Sequence, residues 1–312
     1  MTLYPNGFSW RNSANLLFIS TLAIGGLTAC SDSTGSSSNE PGRIHFIPYP
    51  YPQAVSPDGK TVMVQNPYSQ ANDVYFYDVA THQLSLQTQM GTNPSDIANA
   101  LSNNGMIAGS FGDPIQAGLW SQSNGLSLIP SQFPTGCDTF VADGWDVSAD
   151  GSVVVGMDWS NCHVTAWRWE NGNKTALELL GAPFPGDTTP PSNRPTVVSD
   201  NGTIAAGFAQ TAAVDRFPAM WTADGSGTLL PTGGVFADDC PGEVTAISAD
   251  GSVLGGTWCQ HAFYWSQASG VVDIGRLPES GDFDVTVATA ITDGGQLIFG
   301  SNGGGFFGTP PH

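Results

Sequence analysis

Beyond residue 43 the chain alternates between short apolar-rich runs and one recurring polar turn. The turn reads small-apolar-Ser-x-(Asp/Asn)-Gly. It occurs as AVSPDG (54–59), ALSNNG (100–105), DVSADG (146–151), VVSDNG (197–202), AISADG (246–251) and, degraded, AITDGG (290–295). Its glycines fall at 59, 105, 151, 202, 251 and about 295, a period of roughly 44–51 residues, which is the size of a four-stranded propeller blade. Asn or Asp before Gly supplies the positive φ of a tight hairpin, so each copy predicts one strand entering the turn and another leaving it. The second strand reaches a glycine at Gly109, Gly156, Gly207, Gly255 or Gly256, and Gly300. A third strand closes on an aromatic, at Tyr77, Trp120, Trp169, Trp221, Trp265 and Phe307. A fourth is predicted at LSLIP (126–130), TALELL (175–180), TLLP (228–231) and VVDIG (271–275).

Four up-and-down strands repeated radially predict an all-β propeller over residues 43–312, with six blades and the third-strand aromatics buried between neighbours. The sixth copy stops at its third strand, while IHFIP (44–48) reads as a fourth strand without a blade. The expectation is that the N- and C-terminal strands complete one blade and close the ring, leaving no free edge at the seam.

The N-terminus carries a different signal. Residues 16–27 (LLFISTLAIGGL) form an unbroken run of apolar or small residues, too short for an ordinary membrane span and suited to the core of a secretory signal. The run ends in Leu27-Thr28-Ala29-Cys30, which resembles the lipobox of bacterial lipoproteins. That resemblance implies a signal peptide over 1–29, acylation of the Cys30 thiol and of the new amino terminus, and membrane attachment without a transmembrane helix. Ser31 after the cysteine implies, by the same resemblance, the outer membrane of a Gram-negative cell. Residues 30–42 read as the lipidated cysteine and a flexible tether, because SDSTGSSSNEPG (31–42) has no apolar residue to bury.

His261-Ala262-Phe263 ahead of Tyr264-Trp265, with SADG before it and VVDIGRLP after it, resembles the HAF-type extracellular repeats of bacterial surface and secreted proteins. The full triplet occurs once; other copies keep Ala117 with Trp120, Ala166 with Trp169, and Pro218 with Trp221. Ser56-Pro57-Asp58-Gly59 is similar to the turns of TolB-like propellers. These resemblances imply a fold and bring no catalytic residues with them.

Composition narrows the partners. The chain has 8 Lys+Arg against 27 Asp+Glu, a formal charge of -19, which argues against duplex nucleic acid, whose phosphates require clustered cations. A charged fraction of only 11% argues against long solvated helices, and 40% hydrophobic residues against disorder over the whole length. A monomer is expected, with a cationic partner as the charge-matched class.

Four cysteines follow Cys30, and they allow three connectivities. Cys137 and Cys240 precede the first strand of the third and fifth copies, while Cys162 and Cys259 lie between strands two and three of the same copies. Those loops emerge on one face of a propeller, so the alignment predicts Cys137–Cys162 and Cys240–Cys259. The alternative is a Cys–His metal site using Cys162 and His163, or Cys259 and His261, but its spacing matches no standard zinc pattern. No metal and no cofactor is expected.

None of the five histidines sits in HExxH, and no GxSxG elbow or Walker loop occurs, so no catalytic residue is assigned. The Ser-x-Asp-Gly turns offer one or two oxygens each, short of the six to eight that calcium takes. Just after the strand-two glycine, aromatics recur at Phe111, Trp159, Phe208, Trp258 and, by offset, Tyr68, with Asp113 and Asp158 nearby. If exposed, they form a candidate binding face for sugar rings or a cationic peptide; otherwise they cap the gaps between blades. The expected function is a non-enzymatic surface lipoprotein whose propeller face binds a protein or glycan. The alternatives are a carbohydrate-active or other periplasmic hydrolase with paired carboxylates near the central channel, and a scaffold in envelope assembly.

Overall fold

Each Ser-x-Asp/Asn-Gly segment folds as a self-supporting hairpin turn. At residues 248–253 the Ser248 hydroxyl donates to Asp250 Oδ1 (2.8 Å) and accepts the Val253 N–H (2.9 Å), and Asp250 Oδ1 accepts the Ser252 N–H (2.9 Å). Gly251 holds φ +77°, a conformation that an L side chain adopts only at a cost. The same serine-centred bonds recur at Ser56, Ser148 and Ser199. The turns also bond to one another. The Asp58 N–H donates to Asn103 Oδ1 (2.8 Å), the Asn103 N–H to the Ala149 carbonyl (2.9 Å), the Ala149 N–H to the Asp200 carbonyl (3.0 Å), and the Asn201 N–H to the Ala249 carbonyl (3.3 Å). The motif therefore stitches neighbouring sheets together as well as reversing the chain.

The computed structural model describes residues 52–66, 72–89, 96–131, 141–160, 163–188, 190–276, 287–291, 297–301 and 304–308. Six antiparallel sheets occupy them, one for each copy of the turn, and no helix occurs among the described residues. The first holds β1 (Pro52–Val55), β2 (Thr61–Asn66), β3 (Asp73–Asp78) and β4 (Gln83–Gln89); the second holds β5 (Ile97–Leu101), β6 (Ile107–Phe111), β7 (Gln116–Ser121) and β8 (Gly125–Leu128). The third holds β9 (Val141–Val147), β10 (Val153–Ser160), β11 (His163–Glu170) and β12 (Asn173–Ala176); the fourth holds β13 (Asn193–Val198), β14 (Ile204–Ala209), β15 (Phe217–Thr222) and β16 (Gly227–Leu229). The fifth holds β17 (Gly242–Ile247), β18 (Val253–Trp258), β19 (His261–Ser266) and β20 (Gly270–Gly275), and the sixth holds β21 (Val287–Ile291), β22 (Leu297–Ser301) and β23 (Gly304–Gly308).

Within each sheet the strands pair in chain order, and the first strands of successive sheets lie against one another from β1 through to β21. The first strands therefore form the inner wall and the fourth strands the outer one, a propeller-like arrangement. The sixth sheet has three strands among the described residues, as the sequence pattern predicts. The closing segment 44–48, the signal peptide, Cys30 and the tether all lie outside the described residues.

Every first strand carries a β-bulge. The strand-two glycine backs onto it: a Cβ added to Gly109, Gly156, Gly207 or Gly256 would overlap the carbonyl oxygen of Ile97, Asp143, Arg194 or Glu243. Of the adjacent glycines in the fifth copy, Gly256 is the one that faces the bulge. In the sixth sheet Phe299, rather than Gly300, pairs with Ala288 beside the bulge.

Apolar side chains gather in five clusters, each filling the gap between two successive sheets. Trp120, Trp221 and Trp265 are buried there as expected, and Tyr77 is buried outside these clusters; Trp169 is only partly buried and Trp167, two residues earlier, is wholly enclosed. Fourth strands begin slightly earlier than the apolar runs suggest. β12 ends at Ala176, and Leu177, like Ile129 and Leu230, tucks under the sheet with its N–H on a third-strand carbonyl.

Candidate functional site: the inner rim of the disulfide-bearing face

The first strands enter from the loops that carry Cys240, and Cys240 is disulfide-bonded to Cys259 in the loop between β18 and β19. This is the intrablade pairing that the repeat alignment predicts, and it removes Cys259 from the Cys–His alternative. Cys137 and Cys162 lie outside the described residues. At this face the bulges turn one residue of each first strand inward: Asn99, Trp145, Thr196 and Thr245 in the second to fifth sheets. Three of them bond to the next sheet's bulge. Asn99 Nδ2 donates to the Gly144 carbonyl (2.8 Å), Thr196 Oγ1 to the Val244 carbonyl (2.5 Å) and Thr245 Oγ1 to the Ala288 carbonyl (2.5 Å). Trp145 breaks the series, because its Nε1 is buried with no hydrogen-bond partner.

Two residues before the bulge, the same strands carry Ile97, Asp143, Arg194 and Glu243. Three consecutive sheets thus place acid, base and acid side by side. Arg194 Nη2 lies 3.6 Å from Glu243 Oε2, which also accepts Arg216 Nη1 at 2.9 Å. Asp143 accepts the Ser110 hydroxyl from the second sheet. The Arg194 guanidinium lies over the rings of Trp145 and Phe208, 4.7 Å from each centroid, and Arg216 covers Phe208 at 5.0 Å. The Arg194 side chain is only 12% exposed. Burial pulls its pKa down to about 10 against the attraction of Glu243, so it stays protonated at neutral pH. Its Nε, like Trp145 Nε1, is buried without a partner. The rim therefore holds two of the chain's 8 cationic side chains and two buried N–H groups without a hydrogen-bond partner.

The aromatics predicted for this face are mostly not on its surface, which corrects the expectation of a ring platform. Phe111 and Trp258 are buried: Phe111 packs under Gly118, and Trp258 stacks on Phe236 at 5.2 Å with Phe217 at its edge. Phe208 is buried, with both arginines over its ring. Trp159 alone of the described set is exposed, at 40%, and Tyr68 lies outside the described residues. Side-chain parity is the physical reason. Phe111 and Trp258 stand two residues after the strand-two glycine and so share its face, which packs on the preceding sheet. Trp159 stands three residues after Gly156 and points the other way.

Asp158, two residues after Gly156, is the true counterpart of Phe111 and Trp258, and it too is fully buried. Its oxygens lie 2.8 Å from Lys174 Nζ and accept Trp167 Nε1 (2.8 Å) and the Ser131 hydroxyl (2.8 Å). Asp113 is exposed on the loop after β6. His261 on β19 sits 3.0 Å from both oxygens of Asp273 on β20, a contact between neighbouring strands. The rim residues Asp143, Trp145, Arg194, Arg216 and Glu243 went unnoticed in the sequence. Their signal is positional: each of the first-strand members lies a fixed distance before a Ser-x-Asp/Asn-Gly turn.

No protein-family model and no curated protein matches the chain. Solved structures resemble it in fold. Hydrazine synthase of Kuenenia stuttgartiensis matches with a TM-score of 0.51 and 13% identity, over 84% of this chain and 77% of that one. The extracellular domain of a putative hybrid two-component system from B. thetaiotaomicron matches with a TM-score of 0.50 and 9% identity, over 82% of this chain and 32% of that one. TolB from Acinetobacter baumannii matches with a TM-score of 0.48 and 14% identity over 70% of this chain, which spans about half (52%) of that TolB chain. Identities this low speak of fold alone. The strand order, with the first two of these matches, defines the class: an all-β, propeller-like protein.

Proposed function

We propose that this is a non-enzymatic lipoprotein of the bacterial cell envelope, with HAF-type repeats, exported and held on the outer membrane through Cys30. Its propeller binds a protein or glycan at the inner rim of the disulfide-bearing face. The observation that carries the binding reading is the pair of unfilled N–H groups, Trp145 Nε1 and Arg194 Nε, beside the Trp145 and Phe208 rings that the Arg194 guanidinium covers. An acceptor such as a peptide carbonyl or a carboxylate satisfies both, and the net charge of -19 favours a partner that is cationic elsewhere. Both rim carboxylates are already engaged, Glu243 by two arginines and Asp143 by Ser110, which favours binding over acid–base chemistry there.

Peptide and glycan arrays probed with the full chain in detergent test the reading. A ligand whose binding is lost in Trp145→Phe, which keeps the ring and deletes the N–H, supports it. Silence on both arrays favours the scaffold alternative. Metabolic labelling with a fatty acid tests the anchor: label absent from wild type, or retained in Cys30→Ala, removes it.

A further inference from the structure

We propose that a cleft between the first and second sheets, on the face opposite the disulfide, is a binding site for a neutral saccharide. It rests on the reading of the protein as a binding propeller but uses a different site. At this face a side chain at the start of the second strand plugs the gap to the next sheet in the second, third and fourth sheets. Met106, Val153 and Ile204 each stand against the following turn glycine, and the last two would lie 2.7 Å from a Cβ on Gly202 and Gly251. The corresponding residue of the first sheet is Thr61, which faces Asp78 as Val153 faces Glu170 and Ile204 faces Thr222. Thr61 does not reach. The atom nearest to a Cβ on Gly105 is Phe76 Cε2, at 3.4 Å. The unplugged gap is a cleft of about 260 Å³.

Its lining points to the ligand. In a chain with 27 acids and 8 bases, no charged residue lines it. Phe76 and Trp120 bring aromatic rings to the lining, and Gln87, Asn103 and Gln122 bring amides. Asn103 uses its Oδ1 on the Asp58 N–H and Gln87 its Nε2 on Ser85 Oγ (2.7 Å), leaving Asn103 Nδ2, Gln87 Oε1 and the Gln122 amide to face a ligand. Amides that donate and accept pair with adjacent hydroxyls, and the C–H face of a sugar ring packs on an aromatic wall. An anionic ligand requires the arginine or lysine that this cleft lacks.

The test is calorimetry and saturation-transfer NMR of the full chain in detergent with glucose, N-acetylglucosamine, cellobiose and chitobiose, alongside sialyllactose and a neutral hexapeptide. Thr61→Ile installs the plug that the fourth sheet already carries, so it closes the cleft in a fold that accepts it, as circular dichroism checks. The expected result is binding of at least one neutral sugar, weakened tenfold or more by Thr61→Ile and unchanged by Trp145→Phe. No sugar binding, sugar binding intact in a folded Thr61→Ile, or preference for the hexapeptide or sialyllactose overturns the proposal. Loss with Trp145→Phe but not with Thr61→Ile places the sugar at the inner rim, so that the binding reading stands and this one falls.

Discussion

Lys174→Met tests whether a buried charge pair between β12 and β10 of the third sheet, which also holds Pro130 and Ser131 after the second sheet, stabilises the fold. The ammonium is 1% exposed and its partner Asp158 is 0% exposed, with Nζ 2.8 Å from both carboxylate oxygens. Lys174 also lies over the Trp167 ring, 4.3 Å from its centroid, and burial lowers its pKa, as expected where water is excluded. Methionine preserves the stem over the indole and deletes the countercharge. Asp158 is then left out of water with two neutral donors, Trp167 Nε1 and the Ser131 hydroxyl. Removing one member of such a pair costs about 3–5 kcal/mol, and in a domain of this size each kcal/mol lowers Tm by about 2–4 °C, so a fall on the order of 10 °C is expected. Urea unfolding followed by tryptophan fluorescence and circular dichroism at pH 7 reads the loss. Asp158→Leu combined with Lys174→Met recovers most of it, because an apolar pair carries no stranded charge. A single-variant loss below about 1 kcal/mol, or a double variant no better than Lys174→Met alone, refutes the assignment.

Further outcomes follow from the turns and bulges. Gly256→Ala forces a Cβ into the Glu243 carbonyl and is expected to cost about 3 kcal/mol, while Gly59→Ala, which meets open space at φ +69°, costs about 1 kcal/mol; equal urea midpoints for the two variants contradict the bulge account. Asp250 is held at about 2, first by the Ser252 N–H and then by serine hydroxyls, and Asp150 is lowered in the same way. Folded values below the ordinary 3.8 contribute stability above about pH 4 that disappears as pH falls toward 2. Asn201 makes the same turn without a charge, so Asp150→Asn with Asp250→Asn moves acid unfolding to lower pH; an unmoved acid midpoint counts against it. Asp146 runs the opposite way: burial raises it to about 7 despite hydrogen bonds from the Val198 and Val147 N–H groups. Its contribution is complete below about pH 4 and is lost as pH rises through about 7, and Asp146→Asn flattens that decline in urea midpoints.

The blade architecture was legible because one turn recurs with its chemistry intact. Ser-x-Asp/Asn-Gly fixes where strands one and two begin and end, and the aromatic closing strand three marks the next sheet. The disulfide Cys240–Cys259 followed from that alignment alone. The direction of side chains was less legible, although parity carried part of it: Phe111 and Trp258 lie an even count from their glycines and share a buried face, while Phe208 and Trp159 lie an odd count away and only Trp159 is exposed. The inner rim was hidden for a deeper reason. A bulge leaves no mark in residue type, so the shared spacing of Asp143, Arg194 and Glu243, five residues before Ser148, Ser199 and Ser248, becomes readable only once the bulge is known. The buried Lys174–Asp158 pair was hidden likewise, since its partners come from different strands with no common spacing.

The central claim is that the inner rim binds a ligand through Trp145 and Arg194. Its most direct test is calorimetric titration of the strongest peptide ligand of the array into wild type, Trp145→Phe and a control, Gln267→Ala, in the exposed turn between β19 and β20. A loss of tenfold or more in affinity for Trp145→Phe with Gln267→Ala unchanged is the predicted result. Equal affinities for wild type and Trp145→Phe contradict it.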